Sequence, residues 1–365
     1  MIMIGFIVDG RVPSVSGCIR NGNPWALFSG WGSTTPVAVM RFSWIAEYIN
    51  RTVDGVRYEL YKPWRRYDAV IFLKSMNRES ISLQHVLKKK GTWTIFDANV
   101  DYFTEATGTF FYDGMAPSKE QQENALQMAG QCNGIIADSR YIEKVVRRFK
   151  RHVSTISDNV LDQHIVRGSN WDLKKDKPLE LIWCGQAVKL FELLTVKEVL
   201  LEWRERIFLK IITNSLDSIQ KWYPPYLEEF ESLLRQVPHA ILPFESIDAL
   251  MNNYDNGGVF IAPRFLDNSY NLGHTEWKIT LPMARGRVVL CSPQPSYCEV
   301  AERSANKGIR VCSDSESWLK ALTELTSPSF DWVKEQQAAC DVVKKYYATS
   351  SIAEAHLRFI QLSLA

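Results

Sequence analysis

Short, nearly uninterrupted apolar runs recur along the chain, each followed by a longer segment of helical spacing. This alternation limits the fold more than any other feature. The runs are 4–8, 68–73, 92–96 and 134–138 in the first half, and 179–184, 206–213, 258–263, 287–292 and 308–312 in the second. Runs without polar alternation belong to strands covered on both faces, as in parallel sheets. Apolar spacing near 3.6 predicts helices over 79–90, 117–131 and 139–151, then over 187–203, 226–235, 245–253 and 275–285. Thr35-Pro36 places a capping residue before a first-turn proline and opens a helix to about Arg51. Ser313 and Glu316 have capping-box spacing ahead of 316–325, and helices over 331–347 and 350–363 follow. The expected fold class is α/β, with two doubly wound, Rossmann-like domains of right-handed βαβ units. The polar stretch 168–178 divides them, giving a first domain over 1–167, a second over 179–348 and a terminal helix over 349–365.

Composition supports two ordinary cores. The chain has 365 residues, 46% hydrophobic and 23% charged, a globular profile with length for two domains. No apolar run approaches the ~18–20 residues of a membrane span, and Met1–Val8 reads as a first strand rather than a signal peptide. Seven scattered cysteines with no CxxC pair argue against a disulfide framework and a zinc ribbon, and point to a cytoplasmic location. The six histidines form no HExxH, and neither GxSxG nor GxxxxGK[ST] occurs, which disfavours metallohydrolase, serine hydrolase and P-loop chemistry. Charge is divided unevenly: residues 1–160 hold 20 Lys+Arg against 15 Asp+Glu, and the remainder 23 against 26. The basic runs are Lys62/Arg65/Arg66, Lys88 to Lys90, and Lys144/Arg147/Arg148/Lys150/Arg151. They read either as solvated faces or as a peripheral contact with an anionic membrane; nucleic acid is the weaker partner.

Ligands of open α/β sheets lie beyond the carboxyl ends of the strands, so residues just after strands are the candidates. Asp97, Asn99 and Asp101 end one strand; a carboxylate there could act as a general base, or the group could form an Asx turn. Gly17 and Arg20 follow the first strand, and Ser139 another. Lys189 and Lys278 stand near expected helix starts, where a cation opposes the helix dipole unless an anion is bound. Phe244 follows a short strand and could face a ligand, or be a core residue.

Several of these loops resemble the nucleotide-sugar-dependent, GT-B-fold glycosyltransferases of group 1. The segment 255–300 is similar to the donor-site block of that family, with its features at Asp255, Pro263, Asn271, Gly273, Lys278, Gly286 and Glu299. LIWCGQAVK (181–189) resembles the first strand and phosphate-side loop of the donor domain, carrying Gly185 and Lys189. Residues 135–149 and 154–162 resemble the end of the acceptor domain, and TIFDANVDYF (94–103) an Asp-rich strand end. The resemblance implies a nucleotide-sugar donor as substrate, no tightly bound cofactor and no metal. The acceptor would be a glycan or a lipid-linked or anionic molecule, in cell-surface polysaccharide or glycoconjugate synthesis. On the donor side it implies Gly185, Lys189, Asn214, Phe244, Gly273, His274, Thr275, Glu276, Lys278 and Glu299. Asp97 and Asp101 would be catalytic, with Gly17, Arg20, Asn99 and Ser139 on the acceptor side.

The chain departs from the family at one place. Many members carry two glutamates eight residues apart that contact the donor sugar and ribose; here Gly273 and Leu281 occupy those positions. Glu276 is the nearby carboxylate. The departure keeps two further readings open, a nucleotide-sugar epimerase of the same architecture and a non-catalytic binding subunit.

Overall fold

The computed structural model describes residues 1–13, 35–167, 177–255 and 257–364. Gly17, Arg20 and most of the expected linker lie outside them. Among these residues the strands are β1 (Ile2–Val8), β2 (Val56–Leu60), β3 (Ala69–Leu73), β4 (Trp93–Ala98), β5 (Gly134–Ala137), β6 (Val153–Thr155), β7 (Leu179–Cys184), β8 (Ile207–Thr213), β9 (His239–Pro243), β10 (Val259–Ala262), β11 (Val289–Cys291) and β12 (Ile309–Val311). They form two six-stranded sheets, ordered β2-β1-β3-β4-β5-β6 and β12-β11-β10-β7-β8-β9. Every ladder is parallel. The central strands are those with continuous apolar runs. The edge strands β2, β6 and β9 (VRYEL, VST and HAILP) carry polar residues. An edge strand with one wet side has no need of a continuous run, so that criterion does not find them; β9 is the short strand expected ahead of Phe244.

The α-helices are α1 (Ile45–Thr52), entered through a π-helical stretch at Val39–Trp44, α2 (Arg78–Lys89), α3 (Lys119–Gln131), α4 (Arg140–Val146), α5 (Lys197–Glu202), α6 (Pro224–Gln236), α7 (Ile247–Asp255), α8 (Ser269–Leu272), α9 (Trp277–Ala284), α10 (Pro295–Arg303), α11 (Ser315–Leu325), α12 (Trp332–Tyr346) and α13 (Thr349–Leu364). Three expectations are corrected. The helix from residue 139 stops at Val146 rather than running to 151. The first turns of the 187–203 segment are 3₁₀ rather than α, over Ala187–Val196. The cap of α11 is Asp314 with Ser317, not Ser313 with Glu316: the Asp314 carboxylate accepts the Ser317 amide at 2.8 Å, and the Ser317 hydroxyl accepts the Asp314 amide at 3.1 Å.

Two segments tie the halves together. Helix α13 lies on the first sheet, its Ile352, Ala353, Phe359 and Ile360 sharing a core with Ile4, Ile71, Ile95 and Ile136. The chain reaches it beside a bridge between Val160 and Ala348. The stretch between β4 and α3 does the reverse. Its Phe111 is fully buried in the core of the second sheet, stacked on Phe191 at 3.8 Å, with Tyr226 at 4.4 Å and Phe265 at 5.0 Å. Its Thr109 amide donates to Asp267 at 2.8 Å.

Candidate active site between the sheets

The second sheet presents a cationic pocket at its carboxyl edge. Beyond β7, Gly185 leads into the 3₁₀ segment, and Asn214, beyond β8, holds that turn by accepting the Ala187 amide at 2.8 Å. This places Lys189 and Glu192 inward. Beyond β10, Arg264 is anchored by its backbone amide on Ser292 Oγ at 2.9 Å and by its Nε on the Tyr297 hydroxyl at 3.3 Å. Lys278, on the first turn of α9, lies with its Nζ 4.3 Å from the centre of the Trp183 ring, a favourable cation–π placement. Arg264 and Lys278 converge on Glu192, the lysine at 2.7 Å. Lys189 donates to His274 Nε2 at 2.8 Å, and an imidazole accepting there carries its proton on Nδ1.

Three basic side chains thus surround one carboxylate, with visible electrostatic consequences. Burial works to raise the Glu192 carboxyl, but Arg264, Lys278 and Lys189 outweigh it and hold it below the usual range. Burial and the neighbouring Arg264 and Lys278, against Glu192, bring the Lys189 ammonium down to about 7. His274 is pushed well below its usual value by burial, then by Lys189 and Arg264, and stays neutral. A pocket with more cations than anions favours an anionic ligand. The His274 carbonyl is itself fixed, accepting from Gln294 Nε2 at 2.6 Å and Ser296 Oγ at 2.8 Å.

The first sheet presents the opposite character. Strands β4 and β5 and the extension of β6 each carry Ile-x-Asp at the carboxyl end: Ile95 and Asp97, Ile136 and Asp138, Ile156 and Asp158. The isoleucines share one core, and period-two alternation carries each aspartate to the same face. Arg41, from the π-helical stretch, reaches into them. It bonds Asp97 (2.8 Å) and Asp158 (2.7 Å), and donates to the Ile156 carbonyl at 3.1 Å. Asp138 is fully buried, and its oxygens have no hydrogen-bond partner among the described residues. Burial, only partly opposed by Arg41, holds its carboxyl well above the ordinary range, with Asp158 and Glu276 adding to the effect.

The residues singled out in the sequence divide accordingly. Lys189, His274 and Lys278 come together in the cationic pocket, with Gly185 and Asn214 shaping its loop. Phe244 directly follows β9 and is 38% exposed, not buried as a core residue would be. Gly273 lies at a close approach of the domains: a Cβ there would stand 2.7 Å from the Asp101 amide nitrogen and 2.9 Å from Ile142 Cδ1. A glutamate has no room at that position, and Leu281 is a core residue, 2% exposed. Glu276 does not take their place beside the cations. It is buried among Asp158 and Glu299, and burial, then Asp158, raises its carboxyl to about 8. Thr275 Oγ1 accepts the Trp277 amide at 3.5 Å, a local capping contact. Glu299 spans the domains, accepting the Arg140 amide of α4 at 3.1 Å.

On the acceptor side the structure gives the two aspartates other work. Asp97 is consumed by Arg41, and Asp101 Oδ1 accepts the Phe103 and Thr104 amides at 2.9 and 3.1 Å, the Asx turn that was the alternative. Ser139 caps α4 through the Ile142 amide at 3.3 Å, and Asn99 is buried beside them. Sequence reasoning passed over Arg264, Glu192, Arg41 and Asp138. Arg264 follows Pro263 at a strand end, and the threefold Ile-x-Asp repeat was visible; Glu192, inside an apolar run, gave no signal.

Two parallel sheets facing across a cleft, with the last helix returning to the first, constitute the GT-B architecture. Solved structures of this fold align over nearly the whole chain. A glycosyltransferase from Rickettsia africae ESF-5 matches with a TM-score of 0.62 at 12% identity, over 100% of this chain and 98% of its own. HepE from Anabaena, in complex with UDP and glucose, matches with a TM-score of 0.65 at 9% identity, over 99% of each. Sucrose-phosphate synthase from Thermosynechococcus elongatus gives 0.62 at 10% identity, over 99% and 98%. At such identities the likeness is one of fold. No protein-family model matches the sequence, and no curated protein is similar to it in sequence.

Proposed function

We propose that this protein is a glycosyltransferase that moves a sugar from a nucleoside-diphosphate sugar to a hydroxyl of a glycan or lipid-linked acceptor. The observation that carries the reading is the pocket of Lys189, Arg264 and Lys278 around Glu192, beyond the carboxyl edge of the second sheet. Such a pocket neutralises a departing diphosphate, and the solved structure of HepE in this fold holds UDP and glucose. The residues supply this charge stabilisation by themselves, so the reaction is proposed to need no tightly bound cofactor. Calorimetry with UDP, ADP and GDP, followed by nucleotide release from the matching donors, tests it. Binding with donor hydrolysis or transfer supports the reading; epimer formation without release favours the epimerase, and no binding favours a non-catalytic subunit.

The reading extends to a peripheral contact with an anionic membrane. The basic runs 88–90 and 144–151 meet at the carboxyl end of α3, where Lys88 donates to the Gln131 carbonyl at 2.7 Å and Lys150 to Gly130 at 3.1 Å. Those two lysines satisfy helix-end carbonyls, leaving Lys89, Lys90, Arg148 and Arg151 outward. Among the described residues no helix is long and apolar enough to cross a membrane. Sedimentation with anionic and neutral vesicles decides it, and equal partitioning refutes the contact.

A further inference from the structure

At the carboxyl ends of the adjacent strands β1 and β3, Asp9 and Lys74 both adopt left-handed backbone conformations, with φ of 51° and 49°. That region is costly for a long side chain and suits glycine or asparagine. The two residues stand side by side, since Val8 is in register with Leu73 and the Asp9 amide donates to the Leu73 carbonyl at 3.0 Å. A polar clamp holds them there. The buried Ser75 hydroxyl lies between the Ile7 and Leu73 carbonyls, at 3.0 and 2.8 Å, and accepts the Gly10 amide at 2.9 Å. Asn77 donates to the Gly10 carbonyl at 2.9 Å while capping α2, and the Lys74 amide bonds the Asp97 carbonyl at 3.2 Å.

Nothing in this turn calls for a lysine. Its backbone would be easier with a smaller residue, and its half-buried ammonium has no hydrogen-bond or ion-pair partner among the described residues. Strained backbone maintained by a rigid surround is a mark of functional positions. The Lys74 charge is felt across the cleft by His274, the partner of Lys189. Geometry puts it on the same side: the strand end bonded by the Lys74 amide runs on to Asp101, whose amide nitrogen would lie 2.7 Å from a Cβ on Gly273, the neighbour of His274, so the turn belongs to the first domain's face toward the cationic pocket.

We propose that Lys74 is the first domain's contribution to the diphosphate site, completing the cation ring of Lys189, Arg264 and Lys278 when a donor is bound. The inference rests on the glycosyl-transfer reading and deepens it. In the transfer, the bond from the sugar's anomeric carbon to the diphosphate oxygen breaks and its electron pair stays on that oxygen. The acceptor oxygen bonds the carbon, and its proton ends on the released nucleoside diphosphate. Lys74 stabilises the charge gathering on the leaving oxygen.

Lys74→Asn and Lys74→Arg, compared with wild type, test this. The asparagine variant is expected to keep or raise its thermal unfolding midpoint, because the left-handed backbone suits it. Its kcat for donor is expected to fall about a hundredfold, the scale of losing one oriented donor at a developing charge, with arginine restoring part of the loss. A stable Lys74→Asn protein with wild-type kcat and donor KM overturns the proposal. Should wild type release no nucleotide from any donor, the glycosyl-transfer reading fails separately. UDP calorimetry then decides Lys74: weaker UDP binding by Lys74→Asn upholds its place at the diphosphate, and equal affinity removes it.

Discussion

Replacing Glu192 by glutamine keeps the side chain's shape and removes the negative charge that Arg264 and Lys278 share. Glu192 is 1% exposed, with one oxygen on Arg264 and the other 2.7 Å from Lys278. Removing one member of a buried ion pair costs about 3–5 kcal/mol, because its partners stay buried and uncompensated. The amide oxygen of glutamine preserves one of the two hydrogen bonds, which places the expected loss near the lower end, about 3 kcal/mol. For a domain of this size that is a fall of roughly 6–12 °C in unfolding midpoint. The same substitution leaves the pocket one charge more positive. One further charge at an effective dielectric near 20 is worth on the order of 1–2 kcal/mol toward a bound anion, about tenfold in affinity. The variant is therefore expected to be less stable alone and more strongly stabilised by nucleotide. Differential scanning fluorimetry of both proteins across a UDP titration measures the two quantities together. A midpoint within about 2 °C of wild type, or a nucleotide-induced shift no larger than wild type's, would show that the pocket's charge does not hold it together or does not bind the diphosphate.

Three other outcomes follow from the same geometry. Arg41→Gln, which strands Asp97 and Asp158 in a buried site, is expected to cost about 3–5 kcal/mol in denaturant unfolding at pH 7. Part of that loss should return as the pH is lowered and Asp97, whose carboxyl burial already raises, takes up a proton. Phe111→Ala empties a stacked position in the second domain's core and is expected to cost about 3–5 kcal/mol; a loss under 1 kcal/mol would mean the crossing segment is not anchored there. Lys189, brought down to about 7, binds fewer protons folded than unfolded between that value and the ordinary lysine range, so its contribution to stability rises with pH across that window. A bound diphosphate favours the ammonium, so nucleotide binding at pH 8 should take up a proton. Calorimetry in two buffers of different ionisation enthalpy reads this directly, and identical heats would refute it.

Net charge illustrates how far composition can mislead. The first half of the chain is basic in total and the second acidic, yet at the cleft the signs are reversed. The first sheet's edge gathers Asp97, Asp138 and Asp158 around one arginine, and the second sheet's edge gathers Lys189, Arg264 and Lys278 around one glutamate. Sums over a half-chain are set by its solvated helices, and say little about the few side chains that strand ends aim inward.

The central strands, most helices and the two-sheet plan were legible because burial on both faces demands unbroken apolar runs, and that demand is local to each segment. Lys189 and Lys278 stood out for a similar reason, since a cation at a helix start needs an anion nearby, and the structure brings both to the neighbourhood of Glu192. What the amino-acid order alone left open involved partners distant in the chain. Glu192 pairs with residues 72 and 86 positions away. Arg41 meets aspartates 56 and 117 away, and Gly273 is glycine because Asp101 of the other domain occupies the space. Local burial writes itself into periodicity; a charge's partner is chosen by the packing of two sheets, and only the tertiary structure decides it.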